Sequence, residues 1–75
     1  MDINDFVRNF ADQFEETDSS FISSDTEYQE MDEWSSLTGM AVIAMVKTQY
    51  GKTITGKEIR DCKTVEDLYN IVSSK

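Results

Sequence analysis

The sequence predicts an all-α domain, a four-helix bundle with a long first loop and a short third helix. Three observations predict it. Apolar residues recur at three- and four-residue spacing at both ends of the chain, the run Leu37 to Val46 is apolar over about three helical turns, and the 75 residues contain no proline and only three glycines. So few chain-breaking residues do not suit a many-turned β fold. A chain of this length forms one domain, residues 1–75, with a limited core.

The first helix opens at Asp2, with Asp5 three residues on placing negative charge at the positive end of the helix dipole. Ile3, Phe6, Val7, Phe10, Ala11 and Phe14 fall on one face, and Asn4, Asp5, Arg8, Asn9, Asp12 and Gln13 on the rest. Burial of each phenylalanine contributes about 1.5–3 kcal/mol, so the stripe reads as core. A helix lying on a membrane surface would have a basic polar face, and this one is acidic.

From Glu15 to Glu33 the period is lost, with turn clusters at Asp18-Ser19-Ser20 and Ser23-Ser24-Asp25. So long a loop in a small domain needs anchors, and Phe21, Ile22, Tyr28 and Met31 are expected to pin it across the bundle. The acids Asp25, Glu27, Glu30, Asp32 and Glu33 lack the ligand spacing and central glycine of a calcium loop. They read as a solvated acidic loop.

The second helix is expected from Ser36 to Tyr50, capped by Ser35. Val42, Ile43, Val46 and Tyr50 suit the core, which leaves Leu37, Met40, Ala41 and Ala44. Two arrangements stay open: an outward apolar patch for docking a partner, or Leu37 and Met40 packed under the loop. Gly39, one turn in, costs about 1 kcal/mol against alanine. Close approach of a partner or of an attached group would explain it, and so would chance.

Gly51 stops this helix, Lys47 sits near its negative end, and Ile54 anchors the short link. Thr55-Gly56-Lys57-Glu58 reads as a capping box for a third helix ending near Asp61. Thr64-Val65-Glu66-Asp67 repeats that logic for the last helix, with Val65, Leu68, Ile71 and Val72 as its apolar stripe. Ser73-Ser74-Lys75 is expected to fray. The predicted core is Phe6, Phe10, Phe14, Val42, Val46, Ile54, Ile59, Leu68 and Ile71.

Composition narrows function. The formal charge is −8, and neutralising nucleic-acid phosphates requires clustered Lys and Arg. Residues 1–34 hold eleven acids against Arg8, a net of −10, whereas residues 35–75 hold four acids against six bases, a net of +2. The two halves are expected to attract each other, and a basic partner to be steered to the acidic side. There is no histidine for acid/base work, and the lone Cys62 forms no internal disulfide and no soft-metal set. No metal site is expected. Catalysis by Asp and Glu alone needs a cleft that four short helices are not expected to provide, so the chain is read as a non-enzyme. No stretch suits a bilayer and Met1-Asp2-Ile3-Asn4-Asp5 is acidic where a secretion signal is basic, which places the expected monomer in the cytoplasm.

Ser36-Leu37 at the head of such a helix resembles the modification site of acyl carrier proteins. Val42, Ile43, Val46, Tyr50, Ile54, Ile59, Thr64-Val65, Leu68 and Ile71-Val72 fall where that family has its second to fourth helices, and Ile22-Ser23-Ser24-Asp25 with Tyr28 matches its loop pattern. The resemblance spans nearly the whole chain. It implies a bundle of acyl-carrier type with Ser36 bearing 4'-phosphopantetheine, taken from coenzyme A by a phosphopantetheinyl transferase. The prosthetic thiol would hold acyl, aminoacyl or polyketide intermediates as thioesters for acyl-transferring or ligating enzymes. Trp34, Ser35, Leu37, Met40 and Ala41 would form the partner-contact patch, the gap between the second and third helices would receive an acyl chain, and Cys62 would be a buried, inert thiol. Two features depart from the family: Ser35 stands where Asp is usual, and Ala41, Lys47 and Thr48 stand where many bacterial members have an acidic helix. These departures imply partners other than those of housekeeping fatty-acid synthesis. They also support an alternative, a helical adaptor of the same fold without the prosthetic group.

Overall fold

The computed structural model describes all 75 residues. It contains four helices, α1 (Ile3–Ala11), α2 (Ser36–Tyr50), α3 (Gly56–Asp61) and α4 (Val65–Ser73), and two 3-10 turns, Ser19–Phe21 and Tyr28–Glu30, in the first loop. Each helix begins where a short polar side chain can replace a missing intrahelical partner. The side chains of Asp2, Ser35, Thr55 and Thr64 accept from backbone N–H groups of the first turns, and Thr55 with Glu58 and Thr64 with Asp67 close reciprocal capping boxes. Gly51 ends α2 in the left-handed region at φ 68° and donates to Lys47 O at 3.0 Å.

Phe6, Phe10, Tyr28, Val42, Val46, Val65, Leu68 and Val72 are wholly buried, and Phe14, Ile22, Met45, Ile54, Ile59 and Cys62 nearly so. Phe10 lies among aromatics, with ring centroids 5.4 Å from both Phe14 and Tyr28 and a stacked contact to Trp34 at 6.5 Å. Edge and offset arrangements of this kind add to the area term.

Several expectations are corrected. Phe14 is buried but lies past the end of α1. The chain leaves the helix by tight turns, Gln13 N to Phe10 O and Phe14 N to Ala11 O, which carry the stripe onward without a further helical turn. Phe21 is no anchor, being 77% exposed, while Ile22 and Tyr28 are buried and Met31 half-buried. Ile71 is only half-buried at the rim of the core, and Met45 takes a core position on α2 instead. Where fraying is expected, Lys75 Nζ pairs with Glu58 at 3.0 Å, and Lys75 O accepts from Lys52 Nζ.

The long loop serves as a set of caps for the ends of other elements. Tyr28 OH donates to Ile59 O at 2.6 Å, and Gln29 Nε2 reaches Arg60 O at 3.0 Å and Cys62 O at 2.7 Å, so carbonyls at the close of α3 are satisfied from the loop. Thr26 O and Ser24 O accept from Val65 N and Glu66 N at the start of α4, beside an isolated antiparallel bridge between Glu27 and Thr64. The expected attraction between the acidic and basic halves is not seen as an ion pair; the bonds that join them here are between neutral groups. Each ion pair, Arg8–Asp5, Lys57–Asp61 and Lys75–Glu58, stays within one half.

Glu33 corrects the picture of a merely solvated acidic loop. Its carboxylate accepts from Glu15 N at 2.8 Å, Glu16 N at 3.2 Å, Thr17 N at 2.8 Å and Thr17 Oγ1 at 2.6 Å. The Thr17 hydroxyl above all, and then these backbone donors, hold it below the usual carboxylate range. The two ends of the loop are thereby tied together just ahead of α2.

Candidate functional site

α2 is apolar nearly all round, a pattern that normally marks a helix enclosed on every side. Here it is enclosed on one side. Thr38, Gly39, Val42, Met45 and Val46 are buried, whereas Leu37 is 77% and Met40 63% exposed, with Ala44 exposed and Ala41 intermediate. Leu37 and Met40 therefore do not pack under the loop.

The start of α2 is held from three directions. Ser35 Oγ accepts from Thr38 N at 3.4 Å, Thr38 Oγ1 donates to Glu33 O at 3.1 Å, and Gly39 N completes the first intrahelical bond to Ser35 O at 2.9 Å. None of these bonds uses the Ser36 hydroxyl. Ser36 is the first residue of the helix and is exposed, so its side chain is free on a fixed mount. The N–H groups of Ser36 and Leu37 precede the first intrahelical bond and point with the positive end of the dipole toward whatever occupies that end.

Beside this mount lies a cleft of about 410 Å³ between α2 and α3. Trp34, Met40, Ile43 and Ile59 supply its apolar wall, Ser35, Ser36 and Gly39 its rim on α2, and Gln29, Gly56 and Arg60 its opposite side. Met40 and Ile43 also line an adjoining hollow of about 500 Å³ with Ala44, Lys47 and Thr53. The cleft lies in the gap expected between the second and third helices. No Asp or Glu faces the cleft, and no three acidic or thiol side chains converge at a spacing that would hold a cation.

The predicted contact residues divide in their surroundings. Leu37 and Met40 stand free, Ser35 is engaged as the cap, and Trp34 roofs the core, 4.8 Å from the Tyr28 ring and half-buried. Gln29, Ile59 and Arg60 were not among the predicted site residues. Nothing local in the sequence marks them, because they reach the cleft only once α3 packs on α2. Cys62 is buried against Tyr28; burial, and then the Asp67 charge, pushes its thiol up, away from the reactive thiolate. No helix is long and apolar enough to cross a membrane.

No family model matches the chain, and no curated protein or solved structure is significantly similar to it.

Proposed function

We propose that the protein is a carrier of acyl-carrier type. Ser36 would bear a 4'-phosphopantetheine arm from coenzyme A, and acyl, aminoacyl or polyketide intermediates would travel on it as thioesters between separate enzymes. The observation that carries this reading is the position of Ser36: exposed, unengaged, first in an anchored helix, and on the rim of a cleft.

The residues present fit the group. Free N–H donors at the head of α2 favour an attached phosphate, and the cleft has room for a flexible chain with no carboxylate to repel it. On attachment the Ser36 Oγ–H bond is exchanged for Oγ–P. The pyrophosphate P–O bond of coenzyme A would break with adenosine 3',5'-bisphosphate as the leaving group, and the hydroxyl proton would pass to the transferase. The arm's thiol supplies the acyl-transfer chemistry. The chain itself holds the serine still, keeps the α2 backbone donors aimed at the phosphate, and offers Leu37 and Met40 as an apolar landing surface for the transferase and for acyl-transferring or ligating enzymes.

Incubation with coenzyme A and a broad-specificity phosphopantetheinyl transferase tests the reading by mass spectrometry. One prosthetic-group increment is expected, lost in Ser36→Ala. An unmodified adaptor, for which Ser35 in place of Asp speaks, predicts no increment and a partner recovered equally well with Ser36→Ala.

A further inference from the structure

The cleft beside Ser36 differs in charge from the rest of the molecule. The chain has 15 acids and 7 bases, yet no acid lines the cleft or the adjoining hollow, whose charged residues are Arg60 and Lys47. Arg60 is also free of a carboxylate partner, since the ion pairs of α3 are Lys57–Asp61 and Glu58–Lys75. Its guanidinium lies back over Gly56, where a β-carbon would come within 3.3 Å of Nη1. A side chain at that position would require the guanidinium to shift by a few tenths of an ångström. Arg60 is exposed, lines the cleft opposite Trp34, Met40 and Ile43, and has no carboxylate beside it, so its donors are open to an anion that enters the cleft. Its planar fork of N–H donors matches phosphate or carboxylate oxygens.

We propose that Arg60 is the anion receptor of this cleft and binds an oxyanion carried on the tether at Ser36. The inference rests on the carrier reading and adds a chemical preference to it. Two sources present the same chemistry: the phosphodiester bonded to Ser36 Oγ, and a carboxylate on the carried acyl group. In either case the tether is drawn toward α3, and Lys47 at the far end of the adjoining hollow extends the positive lining.

The experiment compares the full chain without a tether, with the free-thiol tether, and with butanoyl and succinyl cargo, each form verified by mass. The readouts are the Arg60 Nε–H resonance and the emission of Trp34, the single tryptophan and itself a lining residue. A move of the Arg60 resonance on tethering alone assigns the phosphodiester. A move with succinyl but not butanoyl cargo assigns the carboxylate. Either supports the proposal if it is reversed at about 0.5 M salt, where screening is short-ranged. In Arg60→Gln the population held in the cleft, read from Trp34, is expected to fall about two- to fivefold, as for a solvent-accessible ion pair. An Arg60 resonance unmoved in every verified form overturns the receptor and leaves the carrier reading standing; a chain that accepts no tether overturns both.

Discussion

Trp34 lies over Gly39 at ordinary packing distance, with Cζ2 and Cη2 3.6 and 3.8 Å from the point a β-carbon on Gly39 would occupy. The glycine is buried without being sterically required, since its backbone is helical and the space beside it admits a methyl group. Gly39→Ala is therefore expected to raise stability by up to about 1 kcal/mol, the difference in helix propensity, read as a higher urea midpoint at unchanged slope. A lowered midpoint would mean that the indole cannot accept the methyl group.

Acid should loosen the loop closure before the core. Glu33, Glu58 and Asp67 all sit below the usual carboxylate range: the Thr17 hydroxyl acts on the first, Lys75 on the second, and the Thr64 and Lys63 backbone donors on the third. With the folded values depressed, this stability is present above the unfolded values of about 4.3 for Glu and 3.9 for Asp, and is lost as pH falls through the folded ones. Glu33→Gln should lower Tm at neutral pH and flatten the decline of Tm below about pH 4.3. An unchanged pH profile would remove Glu33 from the account.

Tyr28→Phe deletes the hydrogen bond to Ile59 O while keeping the ring in its aromatic cluster. Gln29 Nε2 still lies 3.3 Å from that carbonyl, so the acceptor is not orphaned. The expected cost is about 0.5–1.5 kcal/mol in chemical denaturation. Burial first, and then the neighbouring Cys62, pushes the phenol well up. The buried hydroxyl thus stays protonated in the fold, and wild type should lose stability as pH rises through about 10, where the unfolded tyrosine ionises. Tyr28→Phe should lose less over that range.

Leu37→Ser with Met40→Ser removes the exposed apolar pair on α2 without touching the core. Stability should change by no more than about 0.5 kcal/mol per site. If these residues are the landing surface, kcat/KM for transferase modification of Ser36 should fall at least about tenfold, the scale of a lost interface anchor. An unaltered rate would relocate the surface.

Phe10→Ala is the core control. It opens a hole at the meeting point of Phe14, Tyr28 and Trp34, at an expected cost of about 3–5 kcal/mol. That is comparable with the whole stability of a domain this small. Far-ultraviolet circular dichroism should show a largely unfolded chain at 37 °C.

Helix starts, and the end of α2, were legible because each is set within four residues, whereas the end of α1 at Ala11, short of Phe14, was not. Asp2, Ser35, Thr55 and Thr64 cap from the side chain onto the next turn, and Gly51 adopts a backbone conformation that side chains disfavour. The stripe of α1 was legible for the same reason, since its period lies in consecutive residues. α2 was harder. With apolar residues on every side, nothing local says which will be covered: Met45 is buried, whereas Leu37 and Met40 are exposed. Phe21 misled likewise, because an aromatic in a loop is only an anchor if the fold places a wall beside it.

By itself the sequence determined where the helices start and where α2 stops, the aromatic stripe that begins on α1, and the presence of a serine at the head of α2. Those are properties of neighbouring residues and short-range hydrogen bonds. Only the tertiary structure decided that Glu33 gathers residues 15–17, that Tyr28 and Gln29 satisfy the end of α3, and that Arg60 faces the cleft beside Ser36. These pairings join residues far apart in the chain, and they exist because buried or crowded polar groups must find partners once the helices have chosen which faces to hide.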